Sequence, residues 1–98
     1  MNPERAAAYR RVIHTLAELG PVKLQPAEQE RIRYTADNLI LCTDLVDDDA
    51  ARDSLEDTEL LFEVLVQSER WERDTADQLI EDLRGCGPDL PVDLTQAA

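Results

Sequence analysis

The chain has 98 residues, enough for one small domain with a modest core. Its apolar residues are mostly Leu (14) and Ala (11), with four aromatic side chains and three Gly, a composition that suits helices packed on helices. A formal charge of −12 disfavours nucleic acid and anionic lipid as partners, and the chain has no apolar run long enough to span a membrane.

The charge is uneven. Residues 1–25 carry four bases and two acids, whereas residues 44–63 carry nine acids and one base. The opening "MNPERAAAYRRV" has no apolar export segment, so a cytoplasmic location is expected.

Asn2-Pro3 reads as a helix start, with Asn as cap and Pro in the first turn. Tyr9, Val12, Ile13, Leu16 and Leu19 recur at helical spacing, and Gly20-Pro21 is a stop. The first helix is therefore predicted over about 3–19. "PVKLQ" follows as an extended link whose Val22 and Leu24 should enter the core.

Pro26 opens a second helix, with Glu28 and Glu30 in or near its first turn, where the helix dipole favours acids. Its predicted span is about 26–46. Ile32, Ala36, Leu39, Ile40, Cys42 and Val46 share a broad face, and Tyr34, Leu41 and Leu45 form a second stripe opposite.

A third helix is predicted over about 48–67. Leu55, Leu61, Phe62, Leu65 and Val66 make its main face, and Leu60 and Val64 lie opposite at i and i+4. The surplus stripes on helices 2 and 3 imply either that these helices each touch two neighbours or that they form a homodimer or partner-helix surface. "QSERWERDT" interrupts the pattern, so a break is expected, with Trp71 packed at the corner. The alternative is one helix of roughly 35 residues and 50 Å. Ala76, Leu79, Ile80 and Leu83 define the last helix, about 72–84. Residues 85–98 read as a mobile tail that lies on the body through Leu90, Val92 or Leu94. The predicted fold is a small all-α, four-helix antiparallel bundle in one domain, 1–84.

Catalytic constellations are lacking. His14 is the one imidazole, and it should be exposed beside Glu18. No Ser/His/Asp or Cys/His arrangement and no phosphate-cradling glycine loop is present. The Asp run fails as a calcium loop: counted from Asp47, position six is Arg52 and position twelve Thr58, where Gly and Glu are needed. Helix capping is the simpler account of these acids. In an up-down-up-down bundle Cys42 and Cys86 fall at the same end. A disulfide is then sterically conceivable, but a buried thiol and an exposed tail thiol are expected without export. No cofactor or metal is expected.

"DSLEDTEL" has Asp53-Ser54-Leu55 followed at helical spacing by Glu59-Leu60. This resembles the segment around the attachment serine of acyl and peptidyl carrier proteins. The resemblance implies Ser54 as a phosphopantetheine attachment site, exposed at a helix N-terminus, with Glu56, Asp57, Glu59 and Glu63 meeting basic enzymes. That placement requires the helix to start at Asp53. Ala50-Ala51 with no breaker after them favour a start at Asp47 or Asp48 instead.

The leading expectation is a non-enzymatic, acidic protein-protein interaction or assembly module. Its partner would be a protein with a basic or apolar helical surface, or a second copy. The candidate surface is Leu60 and Val64, Tyr34, Leu41 and Leu45, with Glu56, Glu59 and Glu63. The carrier role for Ser54 is the alternative.

Overall fold

The structure, a computed structural model, describes residues 3–88. Four helices follow in order: α1 (Pro3–Lys23), α2 (Pro26–Leu41), α3 (Asp49–Gln67) and α4 (Arg73–Cys86), with no strand among the described residues. The predicted cap at Asn2 lies outside them.

Local chemistry sets the starts. Pro26 occupies the first turn of α2, and the Gln25 amide donates to Glu28 Oε1 at 2.9 Å. Asp48 caps α3, its carboxylate accepting from the Ala51 amide at 3.0 Å. Gly20 breaks α1 as its sequence implies, with φ at 72°, a left-handed conformation open to glycine. The chain does not then run extended. Pro21–Lys23 forms one further turn in a new direction, which buries Leu24 but leaves Val22 87% exposed, against expectation.

The end of α2 also differs from the expected Val46. The helix stops at Leu41, and Cys42 is extended. Two causes are visible. Asp44 accepts from the Val46 amide through its side chain, forming a local turn that competes with helix. The guanidinium of Arg5, near the start of α1, binds the carbonyls at the helix end. Its Nη2 donates to Leu39 O (2.7 Å), Ile40 O (3.2 Å) and Cys42 O (2.8 Å), and its Nε to Cys86 O at the end of α4 (2.8 Å). One side chain thus caps two helix C-termini.

These contacts fix the topology. The start of α1 meets the ends of α2 and α4, so α2 and α4 run parallel to each other and antiparallel to α1. Pairs such as Arg31–Asp57 and Asn38–Ser54 set α3 antiparallel to α2. The bundle is up-down-up-down. α2 and α4 touch every other helix, whereas α1 and α3 are diagonal to each other. α2 is therefore central, yet Tyr34 and Leu41 of its second apolar stripe stay exposed, so its central place does not account for that stripe.

The core draws Ala8, Val12 and Leu16 from α1, Ile32, Ala36 and Leu39 from α2, Leu61, Phe62 and Leu65 from α3, and Ala76, Leu79 and Leu83 from α4. α1 and α4 approach so closely that a Cβ added at Gly85 would lie 3.0 Å from Ala8 Cβ. Helices 3 and 4 are broken between Gln67 and Arg73, with Glu69 at φ 65°. Trp71 is buried at that corner. Its ring centroid lies 4.9 Å from that of Phe62, and its Nε1 donates to Lys23 O at 2.8 Å.

Candidate functional site

The α2/α3 contact is held by polar side chains. Buried Thr35 and Thr58 share a hydroxyl hydrogen bond of 2.7 Å, and Thr35 Oγ1 lies 3.1 Å from both Arg31 O and Ser54 O. Asn38 Nδ2 donates to Ser54 Oγ at 2.8 Å, and Ser54 Oγ donates to Ala50 O at 2.7 Å. Small side chains let the two backbones approach, and the hydroxyls satisfy one another. Ser54 consequently sits in the second turn of α3, 8% exposed, with its hydroxyl committed at both ends. The exposed first-turn position that the carrier resemblance requires is not what Ser54 occupies, because α3 starts at Asp49.

α3 and α4 splay apart on the opposite side of α3. Between them runs an open groove of about 830 Å³ whose lining residues all belong to these two helices. Its apolar floor includes Phe62, Ala76 and Ile80, with exposed Leu60 at the edge. Its walls carry Glu56, Glu59 and Glu63 from α3, Asp77 and Glu81 from α4, and Arg73 and Arg84. Leu60 is 69% exposed, and Val64, one turn on, is 60% exposed. Val22, Tyr34, Leu41 and Val46 are also exposed, but Leu60 and Val64 stand one turn apart on one helix face beside the groove.

Glu59 and Glu63 are not free acids. Arg73 Nη1 donates to Glu63 Oε1 at 2.7 Å, and Arg84 Nη2 to Glu59 Oε2 at 2.8 Å. The Arg73 guanidinium holds the Glu63 carboxyl below its ordinary range. Both pairs are solvent-exposed and stabilise the fold little. Glu56, Asp77 and Glu81 have no ion pair among the described residues.

The expected surface is only partly assembled. Leu60, Glu56, Glu59 and Glu63 line the groove, and Val64 stands beside it. Tyr34 is exposed but lies along the α2/α3 seam with Asp53 and Asp57. Leu41 is exposed at the end of α2. Leu45 has turned inward against the core, because α2 ends before it and the following turn directs it between Leu39 and Leu55. The α4 wall, with Ile80 and Arg73, Asp77, Glu81 and Arg84, was missed. Its signal was a charged stripe at i, i+4, i+8 and i+11 beside an apolar residue.

His14 is exposed and pairs with Glu18. Cys42 and Cys86 lie at the same end, their carbonyls bound by one guanidinium, and both thiols are free. Cys86 is buried, not exposed on a tail, because α4 extends to it. Burial, with Asp82 nearby, pushes its thiol up to about 11. Asp82 is buried too, and its Oδ1 accepts from Arg11 Nε (3.0 Å) and Gln78 Nε2 (3.3 Å). The predicted tail contacts of Leu90, Val92 and Leu94 lie outside the described residues.

Among the described residues no cluster of His, Cys, Asp or Glu is placed to hold a metal, and no helix is long and apolar enough to cross a membrane. Comparison with family models, curated proteins and solved structures found no match.

Proposed function

We propose that this chain is a non-catalytic interaction or assembly module that works through the exposed face of α3. The observation that carries this reading is Leu60 with Val64, large apolar side chains one turn apart on a formed helix, at the edge of an apolar-floored groove. Such a face costs solubility unless something covers it. The acids around it keep the free protein dispersed and select against anionic partners. The test is the double variant Leu60→Ser/Val64→Ser, compared with wild type by native mass and by retention of partners from its own cells. Loss of an assembly supports the reading. Unchanged mass and unchanged partners refute it.

The carrier reading rests on the Asp53-Ser54-Leu55 resemblance alone. It is tested by incubation with a phosphopantetheinyl transferase and coenzyme A. The expected result is no mass gain, because Ser54 Oγ is bonded to Ala50 and Asn38 and offers no free edge. A pantetheinylated product would reverse the assignment.

A further inference from the structure

The interaction reading leaves the occupant of the α3/α4 groove open, and the groove's own dimensions and charges narrow it. Along α3 its wall runs from Glu56 to Glu63, and along α4 from Arg73 to Arg84. The seven residue steps of the α3 wall rise roughly 10 Å, or two turns, and the eleven steps of the α4 wall roughly 16 Å, or three turns. A trough of these lengths and about 830 Å³ takes the side chains of one helix face, not a folded domain.

The charges decide what kind of helix. Five acids and two arginines give the walls a net charge of −3. Both arginines are already paired within the wall, to Glu63 and Glu59. Glu56 on one side and Asp77 and Glu81 on the other remain without an ion pair among the described residues. A helix lying on Leu60 and Ile80 therefore meets an uncompensated carboxylate on each flank. Two occupants that this chain itself could supply are disfavoured on charge. Residues 89–98 of this chain contain two Asp and no base. A second copy would bring its own Leu60/Val64 face, edged by Glu56, against the same acids.

We infer that the α3/α4 groove binds an amphipathic helix of about three turns, with an apolar stripe and Lys or Arg on both flanks. This inference rests on the interaction-module reading and names the chemistry of the partner.

The probe is a synthetic 14-residue helical peptide with a Leu stripe flanked by Lys and Arg. Its counterpart has Glu at every flanking position. Binding is followed by amide shifts of the isotope-labelled protein and by calorimetry at low and high salt. The basic peptide is expected to shift Leu60, Ala76 and Ile80 amides and to bind at least about tenfold more tightly than the acidic one. Its affinity should fall about tenfold or more on raising NaCl from roughly 50 to 500 mM. Leu60→Asp should weaken it by about tenfold or more, and Glu56→Gln/Glu81→Gln should reduce both affinity and salt dependence. Both variants lie on exposed or half-exposed positions, and their circular dichroism is expected to match wild type.

Equal binding of the acidic peptide, or shifts mapping away from the groove, overturns the inference. So does failure of both peptides to bind. The two readings fail separately. If neither peptide binds but Leu60→Asp converts a dimer to a monomer, the basic-helix occupant is wrong and the interaction module stands. If neither peptide binds and native mass and partners are unchanged in Leu60→Ser/Val64→Ser, both are wrong.

Discussion

Replacing Arg5 by Ala removes the shared cap of α2 and α4. Arg5 Nε has one N–H and Nη2 has two, so three donors serve the four carbonyls of Leu39, Ile40, Cys42 and Cys86. A hydrogen bond from a charged donor contributes roughly 1.5–3 kcal/mol. Sharing of Nη2 and partial rehydration of the freed carbonyls lower the total, and loss of a cation at two helix C-termini adds to it. The expected destabilisation is about 2–4 kcal/mol, a large part of the roughly 5–15 kcal/mol typical of a domain. At about 4–8 °C per kcal/mol this lowers Tm by roughly 8–32 °C. Urea titration and thermal melts followed by circular dichroism measure both. Arg5→Lys keeps the charge but not the fork, and should fall between. Arg10→Ala, on the same helix with no ion pair among the described residues, is the control and should stay within about 0.5 kcal/mol. An Arg5→Ala loss no larger than the control's would refute the capping account.

Other consequences follow from single contacts. Arg70 donates to both carboxylate oxygens of Glu28 and lowers its pKa from the ordinary 4.5. A depressed carboxylate stabilises the fold above its unfolded pKa and ceases to as pH falls through the folded one. Glu28→Gln should therefore lower Tm at pH 7, with the gap to wild type closing below pH 4.5; a gap independent of pH would exclude the ion pair as its cause. Thr35→Val should cost about 1–3 kcal/mol because it strands the Thr58 hydroxyl, and Thr58→Val less because Thr35 Oγ1 keeps the carbonyls of Arg31 and Ser54, with the double variant less destabilised than their sum by about 1 kcal/mol; additivity by urea titration would show the pair to be independent. Cys42 and Cys86 are buried, and the Cys86 thiol is pushed up to about 11. Neither should react with iodoacetamide in the native protein at pH 8, whereas both should in denaturant; modification of the folded protein within minutes, read by mass, would contradict this placement.

The start of α2 and the break after α1 were legible because each depends on residues within one turn, and the sequence favoured, over a start at Asp53, the earlier start of α3 that the Asp48 cap sets. Pro26, the Asp48 cap and the Gly20 break act on neighbouring backbone, and the 3.6-residue spacing of Val12 and Leu16 or of Leu79 and Leu83 marks the buried faces. The same spacing marked Leu60 and Val64 as facing away from the core. The corner at Trp71 was legible in the nine-residue polar interruption.

Tertiary structure decided what depends on distant partners. α2 ends five residues early partly because Arg5, more than thirty positions away, occupies its terminal carbonyls, and this turns Leu45 inward and splits the Tyr34/Leu41/Leu45 stripe. Cys86 is buried because α4 continues two residues past its expected end at 84. Glu59 and Glu63 were read as acids that meet a partner, but α4 supplies Arg84 and Arg73 to them. The groove itself is a product of assembly. Local sequence determines which face of a helix is apolar, because a side chain's direction depends on its own backbone. Which faces are covered, and which carboxylates are already neutralised, depends on how far apart the packed helices come to rest.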